Sequence, residues 1–171
     1  MTDHGYSGQI VTDYNMYQFN HYARDFWKKH KIREYTAPLE LNSTELAHIE
    51  KEGLEVIIYG YLPMMVSAGC IQKTRGNCRK QSGVTTIVDR YHKSFMVKNE
   101  CDYCYNVMYN YAPLYLGDKM DEVRNLGKIS KRFMFTFETP DEIRKILELY
   151  KEEQPFSDGE FTRGHWKRGI K

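Results

Sequence analysis

Glu55–Tyr61 reads EVIIYGY, a compact apolar run interrupted only near its end by Gly60. Such a run suits a strand buried on both faces, as strands of a parallel sheet covered by helices are. Upstream of it, short strand-like runs alternate with helical ones. Gly8 to Thr12 is apolar, and Asn15 to His30 follows with Tyr22, Phe26 and Trp27 at helical spacing before the basic end Lys28, Lys29 and Lys31. Ile32 to Ala37 again carries a strand signal. Asn42, Ser43 and Thr44 then offer cap oxygens to a helix over Glu45 to Glu52, with Leu46 and Ile49 facing inward and Gly53 as its terminator. Strands alternating with helices in this way predict βα units with parallel strands, three of them before residue 62.

Beyond Pro63 the rhythm changes. Turn residues Gly76, Asn77, Ser82 and Gly83 interrupt the chain, and Thr86 to Tyr91 with Ser94 to Lys98 predict an antiparallel hairpin around His92 and Lys93. After a tyrosine-rich stretch, Asp118 to Leu126 reads as a helix and Arg132 to Glu138 (RFMFTFE) alternates like a strand. The clearest helix opens at Thr139, a good cap, with Pro140 in the first helical position and Asp141 and Glu142 at the positive end. Ile143, Ile146, Leu147 and Tyr150 form its apolar stripe.

All four cysteines lie in the changed region, as Cys70-x7-Cys78-x22-Cys101-x2-Cys104. Two sulfurs three residues apart grip one ion from a single turn, so the spacing points to a thiolate metal site. Zinc fits four thiolates, and an iron-sulfur cluster uses the same four sulfurs. Reduced core cysteines and disulfides are the competing readings. Structural disulfides are rare in a reducing compartment, and nothing in MTDHGYSGQI has the charged and apolar regions of a secretion signal, which predicts a cytoplasmic protein.

The chain has 171 residues, 41% of them hydrophobic, enough for a packed core. With 25 basic and 23 acidic residues, bulk charge gives no strong pull toward nucleic acid or an anionic membrane. No stretch approaches the roughly 20 apolar residues of a membrane span. Anion binding must therefore be local. Arg163, His165, Lys167 and Arg168 surround Trp166 near the C-terminus, and basic groups interleaved with an aromatic suit a phosphate or a stacked base; the alternative is a solvated tail. Lys73, Arg75, Arg79 and Lys80 form a second basic cluster around the first two cysteines.

Strand ends are where barrel enzymes carry their catalytic groups. Glu40, Asn42 and Tyr59 are the candidates there. Their plain roles would be a solvated carboxylate, a helix cap and a core tyrosine. Asp13 is read as a cap.

Several phrases in order, DYNMYQFN, TAPLELNSTEL, YGYLPMMVSAGC, DRYHKSFMVKNECDYCYN and FTRGHWKRG, resemble the collagenase-like peptidases, family thirty-two of the peptidases of unassigned catalytic type. The resemblance runs from about residue 8 to the end. It implies an α/β fold comprising the C-terminal part of a (β/α)8 barrel over residues 1–66, a four-cysteine loop and hairpin region over 67–116, and a small α/β module over 117–171. A half barrel implies a partner, either an upstream half or a homologous chain. Some members are described as collagenases, yet no GxSxG or HExxH motif occurs in this chain. Others are iron-sulfur proteins that act in hydroxylation of RNA bases. That resemblance makes Cys70, Cys78, Cys101 and Cys104 the expected ligands of a cluster of the four-iron, four-sulfur kind, zinc being the alternative, and RNA the expected substrate. A peptidase and a non-catalytic split-gene fragment are the rival readings.

Overall fold

The computed structural model describes residues 5–157 and 159–169. The first four residues of the N-terminal decapeptide, read above for a secretion signal, lie outside the described residues. Two sheets organise the chain. The first holds four parallel strands, β1 (Val11–Thr12), β2 (Glu34–Thr36), β3 (Leu54–Gly60) and β9 (Ser130–Met134), with β8 (Leu114–Tyr115) antiparallel to the end of β3. The second is antiparallel, in the order β4 (Pro63–Ser67), β7 (Tyr105–Tyr109), β6 (Ser94–Glu100), β5 (Gly83–Val88). Helices α1 (His21–Lys29), α2 (Ser43–His48), α3 (Ile71–Thr74), α4 (Met120–Arg124) and α5 (Pro140–Lys151) complete it.

The expectation of part of a (β/α)8 barrel is overturned. Neither sheet closes, and one of the two is antiparallel throughout. A barrel needs every strand hydrogen-bonded on both sides. Among the described residues β1 pairs only with β2 and β9 only with β3, and β1 is two residues long. The buried run of β3 is equally at home at the centre of an open sheet, which is where it lies. The segment 117–171, set apart above as a module, contributes β9 to this same sheet and so shares its core.

Local chemistry explains the elements. Helix α5 begins at a reciprocal capping box between Thr139 and Glu142 with Pro140 in its first turn, as its sequence predicts. Helix α2 begins with the same device, Asn42 with Glu45. Helix α1 starts later than its periodicity suggests. Asp13 caps a short 3-10 turn at Tyr14–Met16, Tyr17 turns left-handed (φ 49°), and Asn20 caps the helix proper through Ala23 N–H at 3.0 Å. Helix α2 stops at His48, not at Gly53. Gly53 instead makes the turn into β3 at φ +68°, where a Cβ would lie 2.3 Å from the Arg33 carbonyl oxygen.

Side chains from distant segments close the core over β3. Leu46, Val56, Ile58, Leu116, Val123 and Ile146 are buried together. The Tyr115 ring packs on Tyr150, Phe156 and Phe161, and Phe133 meets Tyr150 edge-on. The Tyr150 hydroxyl donates to the Ile58 carbonyl and accepts from Leu116 N–H at 2.9 Å, reinforcing the direct Leu116 N–H to Ile58 carbonyl hydrogen bond of 3.0 Å. Tyr150→Phe removes the hydroxyl from both backbone groups while their direct hydrogen bond remains. It is expected to cost about 0.5–1.5 kcal/mol, read as a lowered urea midpoint at unchanged slope.

Candidate functional site

The cysteines gather at one end of the antiparallel sheet. Cys70 sits at the N-terminal boundary of α3, and the loop that follows is tied to β6 and β7 at both ends. Asn106 Nδ2, on β7, donates to the Gly69 carbonyl at 2.8 Å. Cys101 N–H donates to Ser82 Oγ at 3.1 Å, and the Cys101 thiol to the Gln81 carbonyl at 3.0 Å. Cys101 and Cys104 flank the turn between β6 and β7, with Cys104 in the left-handed region (φ 54°) and its sulfur 3.7 Å from the Cys101 carbonyl oxygen. The predicted hairpin, observed as β5 and β6 with full antiparallel register, thus returns Cys101 to the loop that carries Cys78.

All four cysteines are free thiols, and Cys78 and Cys104 are exposed. Among the described residues no group of three or more His, Cys, Asp or Glu stands in a metal-holding arrangement. The four nevertheless share one electrostatic neighbourhood. Burial first, then the charges of Cys70, Cys78 and Cys104, push the Cys101 thiol up from its ordinary value. Like charges held together resist joint ionisation, and a bound cation reverses that preference. The donor set therefore fits a soft metal in composition. Exposed Lys73, Arg75, Arg79 and Lys80 stand in the same loop, and Arg75 and Arg79 line a cleft of about 470 Å³ with Asn77, Gln81 and Ser82.

The three strand-end candidates separate. Asn42 is engaged in the capping box of α2, its Oδ1 accepting from Glu45 N–H at 2.9 Å. Tyr59 is buried and donates to Glu138 Oε1 at 2.9 Å; burial foremost, then the Glu138 charge, push its phenol far up, so it stays protonated. Glu138 Oε2 in turn accepts the N–H groups of Thr136 and Phe137. Gly60 admits backbone, its position facing the Met134 carbonyl of β9. Glu40 alone has an unmet need, because its Oε2 is buried without a hydrogen-bond partner.

The basic tail is a docked segment with an exposed rim. Trp166 is 4% exposed, its Nε1–H donates to Glu122 Oε2 at 2.7 Å, and its carbonyl accepts Ser43 N–H at 2.9 Å. Arg163 is committed to the protein: it pairs with Asp118 through two hydrogen bonds and donates to the Tyr115 carbonyl at 2.7 Å. His165, Lys167 and Arg168 remain exposed. The tail thus rests on α2 and α4, while the cysteine loop rests on β6 and β7.

Sequence reasoning missed a polar network on the parallel sheet. Arg132 Nη1 of β9 lies 2.9 Å from Asp13 Oδ1, 3.2 Å from Thr36 Oγ1 and 3.5 Å from Glu55 Oε1, and Thr36 Oγ1 donates to Glu55 Oε1 at 2.8 Å. The signal was a charge at the head of each of two strand runs, Glu55 in EVIIYGY and Arg132 in RFMFTFE. No protein-family model, curated protein or solved structure matches this chain.

The Trp166 hydrogen bond, and after it Lys119, hold the Glu122 carboxyl below its ordinary value of 4.5. A depressed carboxyl stabilises the fold above its unfolded pKa and loses that contribution as pH falls through the folded one. Acidification below the ordinary carboxyl value of 4.5 is accordingly expected to loosen the tail, seen as a red shift of Trp166 emission in a Trp27→Phe background. Glu122→Gln removes that pH dependence.

Proposed function

We propose that Cys70, Cys78, Cys101 and Cys104 form a thiolate centre holding an iron-sulfur cluster, and that the protein acts on RNA as an iron-sulfur relative of the collagenase-like peptidases. The observation that carries this reading is the gathering of all four thiols, from three separate stretches of chain, at one end of the antiparallel sheet, where Cys101 feels the charge of the other three. Nothing about core packing calls for that gathering, since Cys78 and Cys104 are exposed. A cluster there supplies one-electron redox chemistry. The chain's own residues do the rest. Asn106 and Ser82 position the two segments that bear the thiols, and the basic residues of the loop offset the charge of the thiolates and attract a phosphate backbone toward the cleft lined by Arg75 and Arg79.

The peptidase reading has less support. Asn42 is a helix cap and the Tyr59 hydroxyl is bound to Glu138, leaving Glu40 without a catalytic partner.

Anaerobic purification with iron and acid-labile sulfide analysis tests the proposal. Visible absorption with iron and sulfide in near-equal amounts is expected, lost in Cys101→Ser and Cys104→Ser with secondary structure retained by circular dichroism. Zinc without sulfide replaces the cluster by a closed structural site. A metal-free protein, even after anaerobic reconstitution, sinks the reading. Arg75→Ala with Arg79→Ala is expected to weaken RNA binding and flatten its salt dependence, without changing metal content.

A further inference from the structure

The N-terminal quarter exposes apolar side chains that the core does not use. Tyr22 is 76% exposed, Tyr17 57%, Phe26 54%, Met16 44%, Val11 43% and Phe19 41%. All six fall between β1 and the end of α1. At roughly 150–250 Å² per aromatic side chain and less for Val and Met, they present on the order of 600 Å² of apolar surface. A standard interface buries roughly 800 Å² per partner, so an interface built here draws on polar and charged neighbours of these side chains as well. Among the described residues the edge of β1 opposite β2 is unpaired.

We propose that this face joins a second copy of the chain through a two-fold contact of α1 against α1. A two-fold interface must be self-complementary, the same patch serving both sides. The exposed row of α1 meets that demand. Tyr22, Phe26 and His30 are spaced at i, i+4 and i+8, with the Phe26 and His30 ring centroids 4.5 Å apart. An antiparallel crossing centred on Phe26 sets Tyr22 of each protomer against His30 of the other. The adjacent row carries Asp25 and Lys29, both exposed. The same crossing brings Asp25 of one protomer within a side chain's reach of Lys29 of the other, so charge complements the apolar centre. Aromatic and Met residues ringed by charge are the composition of an interface core and rim. The antiparallel sheet also exposes apolar residues, Met64, Met65, Val66, Val84 and Val88, on its outer strands, but none of these is aromatic.

Sedimentation equilibrium of the full chain, under reducing conditions, tests the pairing independently of metal content. A reversible dimer in the micromolar range is expected. Tyr22→Glu with Phe26→Glu is expected to weaken it at least 30-fold or so while leaving circular dichroism unchanged, whereas Val84→Glu leaves it intact. Asp25→Lys weakens dimerisation and Asp25→Lys with Lys29→Asp restores it, a rescue that general misfolding does not produce. A monomer up to about 200 μM, or a dimer indifferent to the Tyr22 and Phe26 substitutions, overturns the proposal.

Discussion

Strand β3 is the constraint on which the rest depends. It is the one strand among those described that carries neighbours from three separate parts of the chain: β2 along its beginning, β9 along its length and β8 at its end. Residues 54–60 thereby hold together segments that are up to about 80 positions away in sequence, and the Tyr150 hydroxyl locks the arrangement by bridging Ile58 and Leu116. Long-range pairing of this kind carries a large loop-closure cost. It persists because every residue of β3 except Glu55 is buried, so the apolar area removed from water is concentrated in one strand.

That hub also explains where the cysteines go. Since β3 and β8 are antiparallel neighbours, the chain between them must leave and return at the same place. Residues 63–109 do so as an antiparallel sheet, with β4 outgoing and β7 returning beside it. An excursion closed at its base can vary at its far end without disturbing the core. Cys70, Cys101 and Cys104 lie at that far end, beyond the last paired residues of β4 and around the β6–β7 turn, and the Cys78 loop is clasped between them. The two basic groups part for the same reason, the loop cluster travelling with the excursion while the tail docks on the helices of the hub.

Much of this was legible in local residues. Capping boxes are written in adjacent positions, so the start of α5 at Thr139 and the cap at Asn42 could be read directly. The β5–β6 hairpin was legible for the same reason, its turn and both strands being contiguous. What was not legible is the closure of the sheet. A doubly buried strand looks the same in a barrel and in an open sheet, and nothing in EVIIYGY says whether the outermost strands find further partners. Of the three strand-end residues, Asn42 and Tyr59 took the plain roles their types allow. Arg163 stood in a basic run yet is paired with Asp118, a partner 45 positions away that no local pattern reveals. The Arg132 network escaped because its four members come from four elements or their ends.

The electrostatics of the two charged centres differ in a way that bears on function. On the parallel sheet, Arg132 meets Asp13 and Glu55, and Thr36 supplies a further hydrogen bond, so opposite charges satisfy one another within the protein. Such a network is complete as it stands. The cysteine end is the reverse. Its four groups acquire the same charge when they ionise, and at Cys101 burial, and after it the charges of Cys70, Cys78 and Cys104, push the thiol toward its neutral form. A cation bound among such groups would relieve the repulsion and draw protons off the thiols, which is the physical basis of the proposed metal centre. The basic residues of the same loop lie at its surface and reduce the net charge, but as cations they cannot ligate a metal. The proposed centre thus draws on the shared position of the thiols as much as on the CxxC spacing.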